Sequence, residues 1–132
     1  MVEMALVMPV FFLVVLGIIE FGRAMMVSNL VTSAAREGAR MAVVDGSTNS
    51  EVTGAINTFL NQSLGVSSSN VSTTITVVAA EGNADPANQV ANARTRDLIT
   101  VKVQIPFDKV ALLGGKYLSG KQLVGQSAMR HE

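Results

Sequence analysis

Hydrophobic and polar positions divide the first third of the chain into two segments of one long predicted helix. Residues 4–19 (MALVMPVFFLVVLGII) contain no charged or strongly polar side chain, and after Glu20 the pattern becomes amphipathic until about Val44. A helix that is apolar on every side is buried in protein or lipid, whereas an amphipathic helix packs a single face. The pattern therefore predicts a helix that begins in an apolar environment and ends on the chain's own globular part.

The apolar segment fits a secretory signal, a membrane span or an assembly helix. A secretory signal has a basic stretch before its apolar core, but here Glu3 occupies that place. About 16 uncharged residues form a helix of about 24 Å, which is short of a hydrocarbon core of about 30 Å. Crossing would draw in Glu20, whose charge Arg23 could partly neutralise at the i, i+3 spacing. These lengths favour a transient stay in a membrane over a permanent lone anchor.

The amphipathic segment has one apolar face and one polar face. Its apolar face comprises Val27, Leu30, Val31, Ala34, Gly38, Met41 and Ala42, and its polar face Asn29, Thr32, Ser33, Arg36, Glu37 and Arg40. Ala34, Gly38 and Ala42 form a ridge of small residues that permits close approach of another backbone. We expect this ridge to seat the chain's own sheet, and a contact between subunits is the alternative.

Local stop and start signals predict a second helix. Asp45–Gly46 is expected to end the long helix, since glycine commonly follows a helix C-terminus. Thr48 and Glu51 fit a capping box, so a helix is expected over about residues 50–64, with Gly65 ending it. Its apolar face is Val52, Ile56, Phe59 and Leu60.

The remaining sequence predicts strands joined by polar loops. Residues 71–78 are β-branched and alternating, residues 81–93 read as a surface loop, and residues 98–105 alternate again. In that second strand, the residues predicted to point inward are Ile99, Val101, Val103 and Ile105. A short helical turn at residues 110–113 and a third strand over residues 122–130 complete the prediction. The fold class is α+β, with an antiparallel sheet of about three strands.

Composition narrows the function. The chain has 132 residues, enough for one small domain, with ten basic and ten acidic residues and a formal net charge of zero. This charge balance gives no nucleic-acid footprint. There is no cysteine, and His131 is the single histidine, so neither a disulfide nor a convincing His-based catalytic triad is available. We expect a protein that is not an enzyme and that uses no cofactor.

Three short patterns resemble known sites. Residues 115–121 match a phosphate-binding loop, but Gln122 replaces the Ser or Thr that would hold magnesium. Oxygen-bearing side chains alternate from Asp45 to Glu51 as in calcium loops, although the same residues explain a helix end and a helix start. Asn61 and Asn70 begin glycosylation tripeptides. We favour a solvated turn for the first pattern, a helix end and a helix start for the second, and chance for the third.

Glu3 is unusual because a carboxylate precedes an otherwise apolar helix. Burying it would require a cationic partner. One explanation is structural, since an acid at a helix N-terminus complements the helix dipole. The other is functional, in which Glu3 pairs with the amino terminus of a neighbouring subunit during assembly. The sequence leaves both explanations open.

Four segments together resemble the TadE-like family, pilin-like proteins of the Tad (Flp) branch of type IV pili. These are VEMALVMP (residues 2–9), GIIEFGRA (17–24), AAREGAR (34–40) and SAMRHE (127–132). The resemblance implies a bacterial subunit held first in the inner membrane, cut by a prepilin peptidase, and then joined to other pilins by the pilus assembly machinery. In pilins the key Glu is usually the fifth mature residue. Here it is Glu3, so either the chain begins inside the mature start or the offset differs.

The sequence prediction is therefore a structural pilin-like subunit that assembles into an extracellular Tad-type filament, as a major or a minor subunit. Residues 1–24 would form a protruding hydrophobic helix and residues 25–132 a globular domain. The predicted assembly interface is Glu3, Met4, Leu6, Val7, Pro9, Val10, Phe11, Phe12, Leu13, Val15, Leu16, Gly17, Ile18, Glu20, Phe21 and Arg23. The alternative is a single-pass inner-membrane module that binds a partner or a surface without polymerising.

Overall fold

A 41-residue helix, α1 (Val2–Ala42), dominates the computed structural model, which describes residues 1–107 and 121–132. The helix continues through Pro9. It ends before the predicted Asp45–Gly46 stop, because its last turn tightens. The Val44 N–H bonds the Met41 carbonyl at 3.1 Å, and the Ser47 hydroxyl donates to the same carbonyl at 2.8 Å. Gly46, with φ +86°, lies in the turn that follows.

The second helix, α2 (Asn49–Leu64), confirms the local start and stop signals. The Thr48 hydroxyl accepts from the Glu51 N–H at 3.3 Å, and the Glu51 carboxylate accepts from the Thr48 N–H at 3.0 Å. Gly65 follows in the left-handed conformation, with φ +67°. Three residues of the predicted apolar face are buried and Phe59 is partly buried; the buried ones are Val52, Ile56 and Leu60.

Three antiparallel strands form the sheet, in the order β1 (Ser72–Val78), β2 (Leu98–Pro106) and β3 (Gln122–Arg130). The α+β fold class and the antiparallel sheet are thereby confirmed. β2 is the central strand, and its predicted inward residues (Ile99, Val101, Val103 and Ile105) are all fully buried. The predicted helical turn at residues 110–113 lies outside the described residues.

The C-terminal half of α1 packs across this sheet and against α2. The small-residue ridge faces the chain's own domain. A Cβ added at Gly38 would lie 2.6 Å from Ile56 Cδ1 of α2 and 3.4 Å from Val101 Cγ1 of β2. On β3, a Cβ at Gly125 would lie 2.6 Å from the backbone of Val31 and Thr32. Glycine at these two positions therefore permits close contact of α1 with α2 and with the sheet.

The connection from β1 to β2 is mostly exposed, as predicted for residues 81–93, but it is anchored at two buried residues, Pro86 and Val90. Asn49 of α2 binds this loop through two hydrogen bonds of 2.8 Å: its Nδ2 donates to the Asn88 carbonyl, and its Oδ1 accepts from the Val90 N–H. Asn88 Oδ1 in turn accepts from the Val77 N–H of β1 at 3.1 Å. The loop therefore covers part of the outer edge of the sheet.

Candidate functional site

The N-terminal half of α1 presents a long apolar surface. An 18-residue window of this helix has a mean hydropathy of 2.6, and none of it is buried. Its side chains are widely exposed, for example Leu6 at 74%, Phe11 at 57% and Ile18 at 66%. Soluble monomers rarely expose a continuous apolar surface of this extent, so it marks a surface that lipid or protein covers.

Most residues of the predicted assembly interface lie on this surface. The exposed ones are Glu3, Met4, Leu6, Val7, Pro9, Val10, Phe11, Phe12, Leu13, Leu16, Ile18 and Phe21. Val15, Gly17 and Arg23 are partly buried, and Glu20 is fully buried. The rings of Phe11 and Phe12 meet edge to face, with centroids 5.9 Å apart. Fifteen of the predicted residues are thus at least partly accessible for contact with a partner.

Glu3 lies exposed in the first turn of α1, whose N-cap residue, Met1, provides no side-chain cap. The first N–H groups of a helix lack intrahelical partners, and a carboxylate beside them complements their partial positive charge. This position satisfies the structural explanation of Glu3 within a single chain. It also leaves the carboxylate accessible, which the pairing explanation requires.

Glu20 faces the chain's own domain. It lies at the N-terminal end of the buried stripe of α1, which continues through Ala24, Val27, Val31, Ala34 and Gly38. Among the described residues, neither carboxylate oxygen has a hydrogen-bond partner. The i, i+3 and i+4 spacing of this stripe is visible in the sequence and could have assigned Glu20 to the inner face.

The short patterns that resemble known sites have structural uses where they are described. Ser47 bonds the end of α1, Asn49 holds the loop, and Glu51 caps α2. In the pattern that resembles a phosphate-binding loop, residues 115–120 lie outside the described residues. The carbonyl of its last residue, Lys121, accepts a hydrogen bond from the Phe107 N–H at 2.9 Å. Within residues 1–107 and 121–132, no group of three His, Asp or Glu side chains could hold a metal ion.

Sequence reasoning missed a buried polar centre around Asp97. Its carboxylate accepts from the Ala80 N–H at 2.8 Å, the Asn83 amide at 2.7 Å and the Arg94 N–H at 2.9 Å. These hydrogen bonds, of which the one from the Ala80 N–H has the largest effect, hold the pKa of Asp97 below its ordinary value of 3.8. They outweigh the effect of burial, which by itself would raise the pKa. The Asp97 carbonyl accepts from the His131 N–H at 2.9 Å. Asp97 therefore joins the loop to the end of β3, and nothing in the local sequence pattern signals this.

Comparison with known proteins adds one observation, which concerns the N-terminal helix. The model of the TadE-like protein family matches residues 1–40. The N-terminal helix of this chain is similar to that of TadE-like proteins over these residues. The match confirms, for residues 1–40, the resemblance drawn from the sequence, and it suggests an association with the Tad pilus. A search of curated proteins and a search of solved structures found no match.

The TadE-like match covers both halves of α1, from the uncovered apolar surface to the stripe that packs on the sheet. It ends at Arg40, just before the helix itself ends at Ala42. The matched segment therefore includes two different parts of α1. Its first half is an exposed apolar surface, and its second half contributes buried residues to the core of the domain. Such an apolar N-terminal helix, long enough to cross a membrane, is consistent with membrane anchoring.

Proposed function

We propose that this chain is a structural, non-catalytic subunit of a Tad-type pilus that assembles through the exposed half of α1 into an extracellular filament. The observation that carries the proposal is the uncovered apolar helix at the start of a folded domain. Copies of the chain and other pilins would be its partners in the filament, as a major or a minor component. A prepilin peptidase and the pilus assembly machinery would act on it at the inner membrane beforehand.

The energetics favour a packed helical bundle as the final environment of this surface. Removing apolar surface from water contributes about 25 cal/mol per Å², so the exposed helix is strongly unfavourable in water. In lipid it is already satisfied, and helix association there depends on packing and polar contacts. Extraction from the membrane therefore needs an additional interaction. An accessible Glu3 carboxylate that pairs with the amino terminus of a neighbouring subunit would supply it.

A substitution at Glu3 tests this proposal directly. We expect Glu3→Ala to prevent assembly while the domain stays folded, because the substitution removes a charge from an exposed first turn and touches no core residue. Glu37→Ala is the matched control, since Glu37 is also an exposed acid of α1 but lies on the polar side of the domain. Filaments sheared from cells that produce each variant would be imaged by cryo-electron microscopy.

The outcomes separate the two candidate functions. Wild-type filaments whose core density fits α1 as stacked helices would support the filament subunit, and their loss in Glu3→Ala alone would support the charge pairing. Normal filaments from Glu3→Ala would refute that pairing. If filaments lack the chain and the protein stays in the membrane fraction, the alternative of a single-pass anchored module that binds a partner or a surface replaces the proposal.

A further inference from the structure

The outer edge of β3 (Gln122–Arg130) lacks the features that usually protect an edge strand. β3 is the last strand of the sheet, and no strand of the described residues lies beyond it. Between Gln122 and Met129 the strand has no charged residue and no proline, and its register with β2 runs without a bulge. Charges, prolines and bulges are common means of keeping an edge strand from pairing with another chain. The sequence of β3 therefore leaves this edge open to an added strand.

The hydrogen bonds at the two ends of the β2–β3 pair show which backbone groups face this edge. At one end, the Phe107 N–H donates to the Lys121 carbonyl at 2.9 Å. At the other end, the His131 N–H donates to the Asp97 carbonyl, also at 2.9 Å. Bonded and non-bonded pairs alternate in an antiparallel ladder, so the odd-numbered residues of β3 bond to β2. The even-numbered residues direct their N–H and carbonyl groups to the open edge, and the central ones are Val124, Gln126 and Ala128.

Two arginines of α1 lie beside this edge. Arg36 and Arg40 line a groove together with Ser127, Ala128 and Met129 of β3. Both arginines are exposed, and neither forms an ion pair with another described residue. No acidic side chain is among the residues that line the groove. The groove therefore combines backbone hydrogen-bonding groups with two positive charges that are not neutralised there.

The spacing of the two arginines matches the repeat of a β-strand. Arg36 and Arg40 are four positions apart in a helix, which corresponds to about 6 Å along its axis. Alternate residues of a strand point to the same side and are about 6.7 Å apart. In a strand added to β3, residues i and i+2 on the side of α1 would therefore face the two arginines in turn. Carboxylates at both positions would each meet a guanidinium, which can bind a carboxylate through two parallel hydrogen bonds.

We propose that the open edge of β3 binds an extended segment of a partner protein that carries acidic residues at alternate positions. The segment adds a strand to the sheet through main-chain hydrogen bonds, and Arg36 and Arg40 select its acidic side chains. A second copy of β3 fits this edge less well, because its uncharged stretch offers no carboxylate. A two-fold pairing of two β3 strands would also bring the arginines of both copies to one interface, where like charges repel. This docking concerns the folded domain and does not depend on filament assembly.

Residue-resolved hydrogen exchange measured by NMR tests the proposal on the full chain in a non-ionic detergent micelle. The probe is the end-blocked peptide Thr-Val-Glu-Val-Glu-Val-Thr, and its control has Lys in place of both Glu residues. At a peptide concentration about ten times the dissociation constant, exchange of the Gln126 and Ala128 amides should slow about tenfold. The Ser127 amide is directed to β2 and should change much less. The Lys peptide should have no effect at the same concentration.

Substitution of the arginines separates charge recognition from edge pairing. The double variant Arg36→Gln/Arg40→Gln should abolish the slowing caused by the Glu peptide. Both arginines are exposed, so the domain should stay folded, and wild-type exchange rates in β2 would verify this. Arg94→Gln is the matched control, because Arg94 is an exposed arginine that does not line the groove. This variant should keep the full response to the Glu peptide.

Three results would overturn the proposal. Unchanged exchange at Gln126 and Ala128 with the Glu peptide would show that the edge accepts no such strand. Equal slowing by the Lys peptide, or by the Glu peptide on the double variant, would remove the selection of acidic residues. Protection of these amides without peptide, increasing with protein concentration, would assign the edge to a second copy of the chain.

Discussion

Gly125 on β3 provides the sharpest test of how α1 is seated. A Cβ built at this position would lie 2.6 Å from three backbone atoms of α1: the carbonyl carbon and oxygen of Val31 and the amide nitrogen of Thr32. Ordinary van der Waals contacts of a Cβ fall at 3.4–4 Å. Backbone atoms in the middle of a helix cannot rotate away as a side chain can. Gly125→Ala therefore requires α1 and β3 to move apart.

The size of that displacement sets the expected loss of stability. Restoring an ordinary contact means a local separation of about 1 Å, and a gap of this size loses a quarter to a half of each dispersion contact beside it. Val31 lies at this contact, and Val31 and Val27 are both fully buried on the inner face of α1. Overpacking a core costs about 1–3 kcal/mol, and Gly→Ala recovers part of this by restricting the unfolded chain. We expect a net destabilisation of about 2 kcal/mol, or about thirtyfold in the opening equilibrium.

Hydrogen exchange of the β2 amides would measure this loss in the full chain, held in a non-ionic detergent micelle. Gly54→Ala in α2 is the matched control, because a Cβ there meets nothing within 4 Å. Alanine in an exposed helix is favoured over glycine by about 0.5–1 kcal/mol, so this control should slow exchange slightly. If Gly125→Ala exchanges at the wild-type rate, or if Gly54→Ala loses as much protection, the argument from close backbone approach is wrong.

Two further predictions concern helix capping and pH. Thr48→Ala removes the hydroxyl that caps the Glu51 N–H and should destabilise α2 by about 1 kcal/mol, read from exchange of its first amides, whereas Thr58→Ala, which removes an exposed hydroxyl from mid-helix, should change little. The pKa of Asp97 is lowered in the folded protein, so the folded protein binds a proton at this carboxylate less readily than the unfolded chain does. The stabilising contribution of Asp97 is therefore complete above its ordinary pKa of 3.8 and is lost as the pH falls below that value. Acid titration of the domain by circular dichroism should show this loss, and an Asp97→Asn variant should lack that step; an identical acid transition in both proteins would contradict it.

The parts of the fold that could be predicted from the sequence depend on neighbours within about one helical turn or one strand. The capping box between Thr48 and Glu51 involves a spacing of three residues, and the inward face of β2 follows from alternation alone. Periodicities of this kind need no knowledge of what the element packs against. The third strand, Gln122–Arg130, was also predicted at the correct position, although its residues do not alternate as those of β2 do.

The parts that could not be predicted depend on contacts between distant segments. The Asn49 side chain donates a hydrogen bond to the carbonyl of Asn88, 39 residues away in the sequence. The Asp97 carboxylate accepts a hydrogen bond from the N–H of Ala80, 17 residues away. Asn and Asp side chains are common in turns for local reasons, so nothing in their immediate context shows that they serve a remote segment. The end of α1 was placed too late for a related reason: Ser47 bonds back to Met41, and a glycine downstream of a helix need not be its cap.

Glu20 connects the sequence, the fold and the proposed function. Read along the chain, it ends the hydrophobic run, and the span then looks too short for a bilayer. In the folded domain the same acid lies on the buried stripe of α1, and Phe21 and Met25 continue the apolar surface on the other side. A change of one position rotates a helical side chain by about 100°, so the charged residue and its exposed apolar neighbours can be adjacent in sequence and face different environments. The length of the exposed apolar surface of α1 is therefore a property of the folded domain, and without the domain the carboxylate of Glu20 would interrupt it.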